Sequence, residues 1–360
     1  MTVLNIYLDR IAHNLKYLKS KISDQSELIA VVKANAYGHG AIKISKFLEK
    51  NGVKRFAVAS ADEGKILREN GIKSTIIVFY PNFSDSNLII KFSLEAAIYS
   101  KKMWQILSCE LKKLKLEKFP IHLKFNTGLN RLGFNYEEVE WIKKEILVSS
   151  FQIKSVYSHL SSSEEEKINS FTNSQIKLFQ KIRDSFKSEG SNIKYHILNS
   201  SGVFNYPDLC YDWVRTGISL YGYASNKEWD KYLLPVAELI SSITQIHKVK
   251  KGESVGYNCG WIAKKNSLIA TIPIGHADGI GRYFGNSNST VSIKNKKAKI
   301  IGNICMDMFM VDVSGIKCSE GDEVVLFNDS RPANVFAESA GSISYELLSS
   351  LGGRIIRNYL

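Results

Sequence analysis

Eight short β-branched runs recur at roughly 25-residue spacing over the first ~225 residues, separated by longer, charged, amphipathic stretches. The runs lie at 28–33, 56–60, 75–80, 94–100, 121–126, 154–159, 195–199 and 213–220, with helix-like intervals such as 41–51, 61–70, 136–148 and 164–188. Parallel neighbours need a crossover of about a dozen residues or more, usually a helix. This alternation therefore calls for a parallel sheet covered by helices. Eight units is the count of a (β/α)8 barrel. Periodicity does not show closure, so a doubly wound open sheet is the alternative.

After Asp230 the helical periodicity fades and short strands punctuated by glycine take over, at 241–249, 268–273, 290–293, 298–304, 309–313 and 323–327. One late helix is expected at 344–351 and a terminal strand at 354–359. The fold class read from this pattern is α/β, a TIM-type barrel over residues 1–226 followed by a mostly β C-terminal domain over 227–360. The linker near 225–231 is short, which implies packed rather than tethered domains.

Composition excludes several classes. With 44% hydrophobic and 23% charged residues the chain is an ordinary globular one. Its apolar runs, such as 75–80, fall well short of the ~20 residues that cross a bilayer. The N-terminus is not a basic stretch followed by an apolar one, so a secretory signal is not expected. The five cysteines are odd in number, widely spaced and contain no C-x-x-C pair. That argues for reduced thiols in a cytoplasm and against a disulfide framework or a structural metal site. The net charge of +13 comes mostly from scattered lysines without interleaved aromatics, a solvated surface rather than a nucleic-acid stripe.

In a barrel the chemistry sits at the C-terminal ends of the strands. The first run ends in Lys33, where desolvation favours the neutral, nucleophilic amine and makes a candidate Schiff-base lysine. A lone lysine there is ordinarily a snorkelling one. Here Tyr37-Gly38-His39-Gly40 follows, a turn that lets an anion approach backbone N–H groups. The fifth run carries His122, Lys124 and Asn126 on one face, with Arg131 in the next loop. The sixth ends in Ser158-His159, the seventh in Asn199-Ser200-Ser201-Gly202 and the eighth in Arg215-Thr216-Gly217-Ile218. Taken singly, His159 reads as a structural histidine and Ser200 as a helix cap. Together they put two lysines, two arginines, a histidine and a small-residue phosphate cradle on one rim. With a candidate Schiff-base lysine, that rim suggests pyridoxal 5'-phosphate.

The stretch Val32-Lys33-Ala34-Asn35-Ala36-Tyr37-Gly38-His39-Gly40 resembles the cofactor-lysine motif of the alanine racemases, fold-type III pyridoxal phosphate enzymes. Five further segments match in the family's order: 124–133, 215–222, Val255-Gly256-Tyr257, 274–279 and Cys305-Met306-Asp307. The resemblance spans nearly the whole chain. It implies that Lys33 carries the cofactor and acts as the base on one face of the substrate Cα. Tyr257 is then the acid/base on the opposite face. Two opposed bases are what racemisation needs, since one removes the proton and the other returns it with inverted geometry. Free tyrosine is a poor base at neutral pH, so a cationic neighbourhood from His159 and Arg215 is expected to favour the phenolate.

By the same resemblance Tyr37, Ser200, Gly217 and Ile218 contact the phosphate, and Arg215 faces the pyridine nitrogen. Arg131 meets the cofactor's ring oxygen and the substrate carboxylate, which the Met306 N–H also binds. Lys124 matches a lysine that is often carbamylated. The implied enzyme is a cytoplasmic homodimer with shared active sites, making D-alanine for peptidoglycan, with no metal, nucleic-acid or membrane partner.

Three departures mark this sequence. Asn126 stands for an aspartate, His276 for a tyrosine at the substrate entrance, and Gly353 for a tyrosine that reaches the phosphate. His276 keeps a broad-specificity amino-acid racemase, acting on serine for example, as the alternative. A fold-type III decarboxylase would carry consecutive glycines at the phosphate and an acidic partner for the ring nitrogen, where this chain has Asn199-Ser200-Ser201-Gly202 and Arg215. A cofactor-carrying homeostasis protein would be a lone barrel.

Overall fold

The computed structural model describes residues 2–187 and 192–360. The chain opens with β1 (Val3–Ile6), followed by eight strands that form one parallel sheet: β2 (Glu27–Val31), β3 (Arg55–Val58), β4 (Thr75–Val78), β5 (Glu95–Ile98), β6 (Phe119–Lys124), β7 (Phe151–Tyr157), β8 (Lys194–His196) and β9 (Trp213–Thr216). Their order around the sheet is β9-β2-β3-β4-β5-β6-β7-β8. Thus β9 returns to β2, and the barrel is nearly closed. The seam between β8 and β9 is held by other bonds. Arg215 N–H donates to the Leu198 carbonyl at 3.1 Å. Asp212 accepts from Tyr195 N–H at 2.9 Å and pairs with Lys194 at 3.0 Å.

All eight predicted runs are strands, but each stops short of its predicted C-terminal limit. Val32, Leu160 and Ile218 are buried without belonging to the sheet. Apolar patterning reports burial, and at the rim burial continues under the helices after strand pairing ends. The last run breaks after Thr216, where the chain enters a 3-10 turn at Ile218–Tyr221. Helices at Ala41–Lys50 and Ala61–Glu69 match their predicted spans closely. The predicted helix 164–188 starts later, at Ser170, because Asn169 caps it by accepting from Thr172 N–H at 2.7 Å. That helix ends at Phe186, and position 188 lies outside the described residues.

The second sheet has nine strands: β1 with β10 (Ala237–Ser242), β11 (Gln245–Val249), β14 (Ser267–Ile272), β15 (Thr290–Ile293), β16 (Lys296–Ile301), β17 (Phe309–Asp312), β18 (Glu323–Phe327) and β19 (Ile356–Tyr359). A small hairpin, β12 (Ser254–Val255) with β13 (Trp261–Ile262), stands apart from it. The predicted strand 241–249 is two strands. It divides at Ile243 and Thr244, whose N–H groups turn to different carbonyls, Asp322 and Thr271.

The sequence reading missed β1. This strand lies between β10 and β19, with Leu4 and Ile6 fully buried, so the chain begins in the second sheet before entering the barrel. Next to it, β19 braces the loop that carries Lys33. Arg357 Nε donates to the Gly38 carbonyl at 2.9 Å, and Tyr359 Oη to the His39 carbonyl at 3.0 Å. Among the described residues, no helix is long and apolar enough to cross a membrane.

Candidate active site

A cavity of about 560 Å³ opens at the C-terminal rim of the barrel. Nine predicted residues line it: Lys33, Tyr37, Lys124, Arg131, His159, Ser200, Arg215, Gly217 and Ile218. The other two, Tyr257 and Met306, do not. They sit on the second domain, 68% and 58% exposed, beside a separate depression lined by Val255, Thr271 and Met308. One chain therefore does not bring Tyr257 into the cavity that holds Lys33.

Lys33 follows β2 by two residues and opens an unusual turn. Ala34, Asn35, Ala36 and Tyr37 all have left-handed backbone, with φ of 51°, 54°, 54° and 52°. For L-residues this conformation costs about 1–2 kcal/mol each, and no glycine relieves it. The surroundings hold it instead. Glu63 accepts from Ala34 N–H at 2.7 Å and from Ala59 N–H at 2.7 Å, while Asn35 Oδ1 accepts from Ala41 N–H at 2.9 Å. Burial, with Arg131 nearby, lowers the Lys33 amine against a smaller opposing pull from Glu63. Sequence reading did not single out Glu63. Its signal was the capping pattern Ser60-x-x-Glu63, which marks a helix start and says nothing of the reach to Ala34.

Arg215 is buried, and burial lowers its guanidinium to about 10, still protonated at neutral pH. Nη2 reaches the carbonyls of Ser158 (2.8 Å) and Ile197 (2.9 Å) and Nδ1 of His159 (3.2 Å). Nη1 meets His196 Nδ1 at 2.6 Å. Arginine only donates, so the ring nitrogens facing it accept. Burial, reinforced by Arg215, Arg131, Lys124 and Lys33, also holds His159 far below its ordinary value. This corrects the expected cationic role: His159 is a neutral imidazole whose proton sits on Nε2.

Burial and the charges of Arg131, Arg215 and Lys33 depress the Lys124 amine to about 8. The wall opposite is small and close. Asn199 is the helix cap, accepting from Gly202 N–H at 3.0 Å, which leaves Ser200 Oγ to accept from Gly217 N–H at 3.0 Å. A Cβ at Gly217 would sit 2.3 Å from Tyr37 Oη, so a larger residue would crowd out the Tyr37 hydroxyl. Tyr345, which the sequence reading overlooked, lines the cavity with its ring 6.0 Å from that of Tyr37.

The three departures are placed as follows. Asn126 caps its loop, accepting from Gly128 N–H (3.1 Å) and Asn130 N–H (3.0 Å), and is not a cavity residue. His276 donates its backbone N–H to the Cys305 carbonyl at 3.0 Å, next to Met306. Gly353 has open space where a side chain would begin.

The left-handed turn yields a prediction. Ala34→Val places a β-branched residue at φ 51° and should lower stability by about 1–3 kcal/mol. Ala34→Gly, at this exposed position, should leave stability unchanged or slightly raised. Denaturant titration reads both, and equal stabilities for the two variants would show that the turn is unstrained.

Comparison with known proteins follows the same division of the chain. Models of the alanine racemase N-terminal and C-terminal domains match residues 6–225 and 236–359. An alanine racemase of Carboxydothermus hydrogenoformans is 34% identical over 99% of this chain and 98% of its own length. The solved structure of an alanine racemase from Clostridium difficile superposes with a TM-score of 0.93 at 32% identity, covering 100% of this chain and 95% of that one. One from Bartonella henselae, described with covalently bound pyridoxal phosphate, gives 0.90 at 29% identity, covering 100% and 99%. The chain belongs to the alanine racemase family.

Proposed function

We propose that this chain interconverts L- and D-alanine using pyridoxal 5'-phosphate held at the rim of its barrel. In this reading it is a homodimer in which each site draws residues from both copies. The observation that carries the proposal is the make-up of one cavity: a desolvated Lys33, the cations Lys124, Arg131 and Arg215, and a small-residue cradle. The residues fit the cofactor. The absence of a side chain at Gly217 lets the Tyr37 hydroxyl sit at the cradle, where a Cβ would come within 2.3 Å of it, and the buried Tyr157 hydroxyl has no hydrogen-bond partner among the described residues.

Tyr37, Ser200, Gly217 and Ile218 hold the phosphate in this reading, with Arg131 and His159 at the ring. Pyridoxal phosphate supplies an aldehyde that links to an amine and a ring that draws electrons from Cα. Lys33 Nζ, favoured in its neutral form by burial, takes or gives the Cα proton on one face. Tyr257 Oη from the second copy does the same on the other face, and its exposure in a single chain supports that assignment. Arg131 and the Met306 N–H of the second copy grip the substrate carboxylate.

With Nη1 and Nη2 of Arg215 already bonded, Nε–H is left to donate to the ring nitrogen. A guanidinium does not give up that proton, which restrains the electron-withdrawing power of the ring and limits transamination. His159 offers its Nε2–H toward the tyrosine oxygen instead of a full charge. The product D-alanine would serve peptidoglycan in a bacterial cytoplasm.

Lys124 is the proposed carbamate. Its neutral Nζ lone pair forms an N–C bond to carbon dioxide, and a proton leaves to water. The resulting anion steadies Arg131. With an amine near 8, about a tenth is neutral at pH 7, and that fraction rises as pH climbs through 8. Carbon-13-labelled bicarbonate should therefore give a carbamate NMR signal that Lys124→Ala removes. A bare amine under saturating bicarbonate contradicts it.

The test of the activity is a chiral assay on L-alanine, L-serine and larger amino acids with pyridoxal phosphate added. D-alanine should form fastest, and Lys33→Ala should abolish it. Absence of D-alanine, or release of carbon dioxide from any substrate, overturns the reading.

A further inference from the structure

Five consecutive barrel strands each send one polar side chain into a continuous hydrogen-bonded row. Glu95 on β5 meets His122 on β6, with Oε2 2.8 Å from Nε2. His122 Nδ1 lies 2.7 Å from Ser155 Oγ on β7. The same Ser155 Oγ lies 3.0 Å from His196 Nε2 on β8. His196 Nδ1 then receives Arg215 Nη1 of β9 at 2.6 Å. His122 and Ser155 are fully buried and His196 nearly so, and none of the first four groups lines the cavity.

With both imidazoles neutral, donor and acceptor rules fix every proton in this row from one end. Arginine cannot accept, so His196 Nδ1 must. His196 then carries its proton on Nε2 and donates to Ser155. The single Ser155 hydroxyl hydrogen turns to His122 Nδ1. His122 accordingly holds its proton on Nε2 and donates to the Glu95 carboxylate. The charges agree with this direction. Burial and Arg215 hold His196 neutral. Burial is the largest influence on the Glu95 carboxylate and raises it, but the bond and charge of His122, with Lys154 and Arg55, together outweigh it and keep Glu95 below its ordinary range.

We propose that Glu95, His122 and Ser155 are positioning residues. They lock His196 in the tautomer that accepts from Arg215, and so aim the remaining Nε–H of Arg215 into the cavity. The inference rests on the reading that Arg215 serves the cofactor ring nitrogen. With the opposite tautomer, His196 would set an N–H against the Arg215 N–H, and the guanidinium would have to turn away. Stacking of the Tyr157 and His196 rings, 4.8 Å apart and nearly parallel, keeps the imidazole from escaping by rotation.

Nitrogen-15 NMR of the histidine-labelled full chain tests the row directly, with and without pyridoxal phosphate. Both His122 and His196 should be neutral, protonated on Nε2 and not on Nδ1. A proton on Nδ1 of either overturns the proposal and needs no variant. Ser155→Ala should then disturb the His196 tautomer and shift the visible absorbance of the lysine-bound cofactor. It should also lower kcat by about tenfold to a hundredfold with little change in KM. Ser155→Thr, which keeps the hydroxyl, should restore all three. If Ser155→Ala does not fold, His122→Phe removes the next link while keeping an aromatic ring beside Trp213, and the same shifts are expected. A folded, severed variant with unchanged absorbance and kcat contradicts the proposal. Failure of the underlying reading is distinct: Arg215→Gln would then leave the cofactor absorbance of the otherwise intact chain unchanged.

Discussion

A guanidinium enclosed where the barrel closes is the constraint on which the rest of this site depends. Burying a cation is costly unless its donors are satisfied, and no carboxylate among the described residues bonds Arg215. Carbonyls at the strand ends and two neutral imidazoles satisfy it instead. Its charge is therefore not cancelled locally. It adds to the burial that depresses Lys124 and holds His159 and His196 neutral, and together with Arg131 leaves an electropositive rim. Such a rim favours an anionic, phosphorylated ligand and a lysine that gives up its proton readily.

The second domain contributes in two ways. Its last strand, β19, braces the strained turn after Lys33, while Tyr345 closes one side of the cavity. The same domain displays Tyr257 and Met306 to solvent, away from the cavity of their own chain. An amine base on one face with no opposing acid abstracts a proton but cannot return it inverted. In the proposed reading the exposed Tyr257 supplies the group that the barrel lacks, which is the physical argument for a second copy.

Much of this was legible in the sequence because it depends on local order. Eight strand–helix units, the glycine-punctuated second half and the polar residues at the strand ends are all read along the chain. Contacts distant in sequence were not. The strand β1 is too short to announce its pairing with β10 and β19, more than two hundred residues away. The left-handed turn from Ala34 to Tyr37 carries no glycine to mark it. The row from Glu95 to Arg215 uses one residue from each of five strands, so no window of sequence contains it. His159 was read as cationic because charge counts by residue type, whereas desolvation and surrounding cations decide the state.

Subunit exchange between two inactive variants, Lys33→Ala and Tyr257→Phe, tests the shared site most directly. In a heterodimer one site combines intact Lys33 from one copy with intact Tyr257 from the other, while the second site carries both defects. Random mixing makes half the dimers heterodimers, so the account predicts recovery to roughly a quarter of the wild-type activity. No recovery, with exchange verified independently, would place both bases within one chain and contradict it.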